Sequence, residues 1–248
     1  MSPLKLSFII RATYDLLPTN ANLAKWYKED GKCLLCGGYE TLKHVLNGCK
    51  VALAAGRYTW RHNRVLSALV EILQKGIAIS NKAVPSEKQY FIKEGSKKPT
   101  TIETNRSRNG LFDGAKDWIV SADLPNEEEY PAEIKESNQR PDIVVYSRDM
   151  QTFILIELTV PYESNIEEQH IFKTAKYEDL IKRLNKKDIR VKFFAVEVGS
   201  RGFMGSSMYT LLRQLNLGTK KLNQAVKNLR TITENASCWI WTKRRDKE

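Results

Sequence analysis

Two short apolar runs in the second half of the chain each carry a carboxylate, and this constrains the fold more than any other feature. Pro141-Asp142 opens the run Ile143-Val144-Val145-Tyr146, and Glu157 interrupts the run Phe153 to Val160. Both runs have the length and residue types of buried strands. A carboxylate inside such a strand is costly unless it is paired or metal-bound. Fourteen residues separate Asp142 from Glu157, enough for one strand, a turn at Arg148-Asp149-Met150-Gln151 and a return strand. Adjacent antiparallel strands bring the two carboxylates together at one end of the pair. Carboxylates that close repel unless a divalent cation sits between them.

The next segment offers a positive charge. Ser164 and Glu167 have the spacing of a capping box, which predicts a helix running to about Leu184. Helical periodicity puts Ile166, His170, Lys173, Tyr177, Leu180, Ile181 and Leu184 on one face. Lys173 stands mid-face, where an apolar side chain is expected, and Lys176 lies at its edge. A lysine turned toward the sheet needs a counter-charge, and Asp142 and Glu157 supply it. Two readings follow. One is a structural ion pair with Lys173 snorkelling. The other is a phosphodiester hydrolysis site of a metal ion, two carboxylates and a lysine.

The remaining pattern places these elements in an α/β layer around a mixed sheet. Trp118 to Ala122 and Val191 to Val198 read as further strands. Helices are expected over Asn20 to Tyr27, Ala54 to Leu73, Ser207 to Leu215 and Lys220 to Ile240. Three consecutive strands form a meander, and a crossover helix returns to a fourth. Residues 76 to 116, with Pro85, Lys97-Lys98-Pro99 and Arg106-Ser107-Arg108, read as a basic insertion with one short strand near Tyr90 to Lys93. Leu124 to Arg140 reads as a polar excursion. On the helix from Ala54, His62, Leu66, Leu69 and Leu73 share the face toward the sheet, where His62 reads first as a satisfied core histidine, whereas Glu71 points away. Glu197 interrupts another apolar run and is a candidate partner of the site.

Cys33, Cys36, His44 and Cys49 form C-x2-C-x7-H-x4-C. Two thiolates three positions apart, followed by an imidazole and a thiolate across a short loop, supply four ligands of the kind that tetrahedral zinc prefers. With four protein ligands, the site is structural. Residues 1–52, carrying this knuckle, and residues 53–248 are the expected domains. Cys238 reads as a small buried hydrophobe.

Forty Lys and Arg against twenty-nine Asp and Glu give a net charge of +11. Polyanions are the natural partners, nucleic acid first. No run of eighteen apolar residues exists and the first residues lack the order of a signal peptide, so no transmembrane helix is expected; an acidic membrane surface is the second polyanion candidate, and no membrane partner is chosen. Candidate phosphate contacts are Lys43, Lys50 and Arg57 near the knuckle, with Lys97, Lys98, Arg106, Arg108, Lys186, Lys187, Arg190, Lys220, Lys221 and Arg230 elsewhere. The loop Gly199-Ser200-Arg201-Gly202 offers either a phosphate cradle or a turn whose arginine pairs with a carboxylate. Trp241 reads as either a base-stacking or a core tryptophan.

Arg140-Pro141-Asp142, Ile156-Glu157-Leu158-Thr159-Val160-Pro161 and Lys173-x-x-Lys176-Tyr177, in this order, resemble the restriction-like endonuclease domain of R2-type non-LTR retrotransposons. The Cys-Cys-His-Cys knuckle followed by Arg61-His62-Asn63, the pair Asp117-Trp118, the segment Val196 to Phe203 and the terminal Trp239-Ile240-Trp241 extend the resemblance over nearly the whole chain. It implies a PD-(D/E)xK nuclease core behind a zinc knuckle. Asp142 and Glu157 would hold a catalytic Mg or Mn ion. The superfamily's usual lysine position is Thr159 here, so the resemblance assigns that role to Lys173 or Lys176. It also implies nicking of chromosomal DNA, and hence a nuclear location. The nick would leave a 3′-hydroxyl that primes copying of the element's RNA by a reverse transcriptase in the parent polyprotein. No reverse transcriptase fits in 248 residues, so the resemblance implies an excerpt of such a polyprotein or a truncated or domesticated product. One such site cuts one strand per engagement, and a monomer or weak homodimer is expected.

Overall fold

The computed structural model describes residues 3–82, 90–91, 100–101, 110–124 and 129–246. The elements run α1 (Pro3–Thr13), α2 (Asn20–Tyr27), α3 (Lys50–Ala54), α4 (Arg57–Lys82), β1 (Tyr90–Phe91), β2 (Thr100–Thr101), β3 (Ile119–Ala122), α5 (Ala132–Lys135), β4 (Ile143–Ser147), β5 (Thr152–Thr159), α6 (Ile166–Asn185), β6 (Arg190–Glu197), α7 (Ser206–Gln214) and α8 (Thr219–Thr242). Among the described residues no helix is long and apolar enough to cross a membrane.

The apolar runs become the centre of a four-stranded mixed sheet of order β3-β4-β5-β6. β3, β4 and β5 pair antiparallel, and β6 returns parallel to β5 after α6. β4 and β5 are buried on both faces because helices cover both. On one face Val144, Phe153 and Leu155 pack against Tyr177, Leu180 and Leu184 of α6 and Ile134 of α5. On the other, Ile143, Val145, Ile154, Ile156 and Leu158 meet α4, α7 and α8. Ile143 pairs with Ile156, so the register carries Asp142 to the strand end opposite Glu157.

The β4–β5 turn is built by Asp117. Its carboxylate accepts hydrogen bonds from the Ser147 hydroxyl and from the backbone N–H groups of Arg148 (2.7 Å) and Asp149 (3.0 Å). Gln151 completes the turn at φ +45°.

Several expectations are corrected. α1 lies in a stretch with no helical pattern. α4 continues nine residues past Leu73, to Lys82, so the start of the expected insertion is helical. Within it a Cβ on Gly76 would stand 3.2 Å from the Phe112 ring, so its bareness admits that ring. The capping box does not form. Ser164 sits in a 3-10 turn (Glu163–Asn165) and its hydroxyl bonds to Asn165 Oδ1 at 3.0 Å. The short strand near residue 90 is the two-residue β1. Lys97, Lys98, Arg106 and Arg108 lie outside the described residues.

Candidate functional site

The knuckle is assembled by backbone bonds before any ion is considered. Cys33 N–H donates to Gly38 O (2.6 Å) and Gly37 N–H to Cys33 O (2.8 Å), closing a tight turn that Gly37 enters at φ +74°. A Cβ on Gly38 would stand 3.1 Å from His44 Cε1 and 3.5 Å from Cys36 Sγ, so a side chain there would press on the His44 ring. A π-helical turn, His44–Gly48, returns the chain to Cys49. The Tyr58 hydroxyl on α4 locks it, donating toward Val45 O (2.9 Å) and accepting from Cys49 N–H (3.0 Å).

One ligand atom from each of Cys33, Cys36, His44 and Cys49 lies within 4.8 Å of every other. Cys33 Sγ and Cys49 Sγ are 4.0 Å apart, and Cys36 Sγ and His44 Nε2 are 3.2 Å apart. Bonds of about 2.3 Å to sulfur set tetrahedral ligand atoms about 3.8 Å apart, so the donor set fits a structural zinc ion. Burial lowers the His44 pKa, keeping the imidazole in its neutral, ligating form. Burial also pushes the Cys33 thiol up to about 11.

The carboxylates meet at one end of β4 and β5. Glu157 is buried and turned toward α6. Its Oε1 accepts from Lys173 Nζ at 2.6 Å, with Lys176 Nζ farther off at 3.7 Å. Its Oε2 accepts from the Tyr177 hydroxyl (2.7 Å) and from Asp142 N–H (3.3 Å). Burial, and then the Glu157 charge, push the Tyr177 hydroxyl far above the ordinary range, so it stays a donor. Asp142 Oδ2 accepts from Leu158 N–H at 2.7 Å. His62 Nε2 of α4 lies 3.3 Å from the same oxygen and 3.1 Å from Leu158 O. Burial pulls the His62 pKa down, but its hydrogen bond to Asp142 and that residue's charge outweigh burial and push it up to about 9. Asp142 Oδ1 accepts no hydrogen bond among the described residues. These oxygens are hard donors of the kind that Mg2+ and Mn2+ take.

The structure therefore brings together Asp142, Glu157, Lys173 and, at the margin, Lys176. Tyr177 enters the sequence reading as a residue of the α6 face and of the Lys173-x-x-Lys176-Tyr177 motif, with no role given to its hydroxyl. Its signal was a hydroxyl one turn after Lys173 on the same face, directly after Lys176. Glu71 is exposed and among the described residues pairs only with Lys75, at 3.9 Å. Glu197 is buried in a separate cluster, accepting from Ser207 and lying 2.9 Å from His170 Nδ1. Thr159 Oγ1, at the superfamily's usual lysine position, is buried with no partner among the described residues.

Some expected phosphate contacts are occupied inside the protein. Arg57 is buried and bonds to Asp246 O at 2.7 Å, and Lys43 donates to Asn165 Oδ1 at 2.9 Å. Arg201 takes the carboxylate alternative, its Nε 2.8 Å from Glu163 Oε2. Trp241 is in the core with the Arg244 guanidinium 3.7 Å over its ring. Lys187 pairs with Glu136 at 2.9 Å on the surface.

A scan against protein-family models finds no match to this chain, and a search of the curated proteins finds none either. The chain is an α/β domain, with a mixed four-stranded sheet between helices and a Cys-Cys-His-Cys cluster suited to zinc.

Proposed function

We propose that this chain is a zinc-bearing nucleic-acid-binding module whose sheet carries a Mg- or Mn-dependent DNA endonuclease site. The observation that carries the reading is the 2.6 Å contact between Lys173 Nζ and Glu157 Oε1, beside the Asp142 N–H at 3.3 Å from the same carboxylate. When bound, a divalent ion supplies Lewis acidity to a phosphate and lowers the pKa of a water. Asp142 and Glu157 would hold that ion. Lys173 balances the Glu157 charge and is placed to donate to a phosphate oxygen or orient a water. Tyr177 fixes the Glu157 rotamer from the other side. The net charge of +11 favours approach of a polyanion.

The finer reading rests on the resemblance to R2-type elements. In it, the core is a PD-(D/E)xK nuclease acting in the nucleus. It nicks target DNA to leave a 3′-hydroxyl that primes copying of an element RNA by an associated reverse transcriptase. A second reading keeps the zinc module and nucleic-acid binding but no catalysis. It is favoured by the saturation of Glu157, both of whose oxygens already have protein donors. The zinc cluster is also the only grouping of three or more His, Cys, Asp or Glu ligands among the described residues.

Plasmid nicking separates the two. Supercoiled DNA is incubated with zinc-loaded protein and Mg2+ or Mn2+, beside EDTA, Asp142→Ala, Glu157→Ala and Lys173→Ala. Relaxed circles from wild type alone support the nuclease. DNA binding without nicking, unchanged by the three substitutions, supports the binding module.

A further inference from the structure

We propose that His170, oriented by Glu197, is a further catalytic residue of the endonuclease site: the acid that protonates the 3′ oxygen as it leaves the scissile phosphate. The inference rests on the nuclease reading above and deepens it with a group on the leaving side of the phosphorus.

Three observations carry it. The first is where the pair lies. Glu157 registers with Ala195 and Thr159 with Glu197, so Glu157 and Glu197 point to the same face of the sheet. Phe153 and Leu155 make that face apolar against Tyr177, Leu180 and Leu184 of α6. It turns polar at Glu157, Thr159 and Glu197, and α6 turns polar with it, through Lys173 and then His170. Residues three apart on a helix hold their Cβ atoms about 5–6 Å apart, so one phosphodiester can meet both Lys173 and His170. Second, the ring is held. Nδ1 lies 2.9 Å from Glu197 Oε1, and the Ser207 hydroxyl in the first turn of α7 donates to the other carboxylate oxygen. Glu197 is buried, and as an acceptor it fixes the hydrogen on Nδ1 and leaves Nε2 as the position that gains and loses a proton. A carboxylate that orients an imidazole in this way is how a histidine is set up for proton transfer. Third, Nε2 is open. The His170 side chain is 45% exposed, and Nε2 makes no hydrogen bond among the described residues. Around the ring, β6 contributes Glu197, α7 presents the neutral Ser207, and Glu167 and Lys173 stand one turn to either side on α6.

The step balances. The oxygen of an attacking water bonds to phosphorus, and the bond from phosphorus to the 3′ oxygen breaks with its electron pair going to that oxygen. The Nε2 proton moves to it and completes the 3′-hydroxyl. The surplus proton of the water leaves to solvent, from which Nε2 regains one. Lys173 serves a non-bridging oxygen or the water, so adjacent turns of one helix supply separate parts of an in-line displacement.

The test uses full-length, zinc-loaded protein with Mn2+ and a DNA duplex whose cut position has been mapped with wild type. A second duplex is identical except that sulfur replaces the 3′ oxygen at that position. A thiolate leaves without a proton, so the sulfur ester has no need of an acid. His170→Ala should slow cleavage of the oxygen ester by at least the ~100-fold that a general acid supplies, and slow the sulfur ester far less. His170→Asn, whose amide nitrogen can keep the bond to Glu197, should show the same split, so that lost packing cannot imitate it. Glu197→Gln changes only the positioning of the ring and should show a smaller split in the same direction. Equal slowing of both esters by His170→Ala and His170→Asn, or no slowing of either, overturns the inference and leaves the nuclease reading standing. A wild type that cuts the oxygen duplex nowhere overturns both.

Discussion

Glu157 carries its charge at a place where only 3% of its surface meets water, so its partners decide whether the sheet tolerates it. Lys173 and Tyr177 each take one oxygen. Removing one member of a buried pair costs about 3–5 kcal/mol, because the other charge stays buried. Lys173 is partly exposed and Lys176 stands 3.7 Å away as a substitute, so Lys173→Ala is expected to cost about 1–3 kcal/mol in urea unfolding at neutral pH. Glu157→Gln in the same chain removes the stranded charge and should recover part of that loss. A double-mutant cycle with no coupling would show that Lys173 does not neutralise Glu157. The pair was legible because a carboxylate inside a buried strand and a lysine in the middle of the next helix's inward face each require a counter-charge. The contact of His62 with Asp142 was only half legible. Periodicity turned His62 toward the sheet, but no local rule gives the depth at which a long helix meets a strand end.

Elements were legible where their apolar order matched their burial. α1 was not, because its order is inverted: Leu4, Leu6 and Ile10 are exposed while Lys5 is buried. Lys5 is held there by Glu234 of α8 at 3.2 Å, a partner more than two hundred residues away in sequence. The β4–β5 turn is also pinned from outside its own segment, by Asp117, 30 residues before Ser147. Slight desolvation raises its pKa, but the Ser147 hydroxyl and the backbone N–H groups of Asp149 and Arg148 outweigh it and hold the carboxyl below its ordinary 3.8. The folded pKa is the lower one, so the stability it contributes is present above the ordinary value and lost as pH falls through the folded value. Asp117→Asn should therefore cost about 1 kcal/mol near neutrality, and the gap to wild type should close below about pH 4. A gap independent of pH in urea titrations would assign the turn to hydrogen bonding without charge. Arg61 joins three elements at once, its guanidinium bonding Val160 O beyond β5 and Ser237 Oγ of α8, both at 3.1 Å. It is fully buried, and burial pulls its pKa down to about 10. Arg61→Lys cannot reproduce the fork, and should destabilise by about 1–3 kcal/mol through loss of the simultaneous bonds to Val160 O and Ser237 Oγ in a buried site.

At the scale of the whole molecule, the zinc cluster is wired to the sheet end that holds the carboxylates. Leu42, Val45 and Leu46 of the knuckle pack with Phe8 and Ala12 of α1 and with Ile240 and Trp241 of α8. Asn47 donates to Val160 O at 2.9 Å, on the same carbonyl that Arg61 holds, three residues from Glu157. An ion that orders residues 33–49 therefore also orders the docking of α1, the end of α8 and the exit of β5. Binding energy of a structural metal is folding energy, because the ligands converge only in the folded chain. The central strands have their own cover, since Val144, Ile154 and Leu155 are fully buried between α6 and α4. Removing zinc with a selective chelator under reducing conditions should then act in two tiers. The midpoint of thermal unfolding should fall by about 5–15 °C, the equivalent of about 2–4 kcal/mol in a chain of this size. Amide exchange should speed in the knuckle, in α1 and in the last turns of α8, and slow exchange should persist in β4 and mid-β5. Faster exchange confined to residues 33–49 would mean that the knuckle only rests on the core. Loss of protection throughout the sheet would mean that the metal holds the fold as one unit. The two-tier result places the coupling at Val160, where the knuckle, α4 and α8 converge on the strand that carries Glu157.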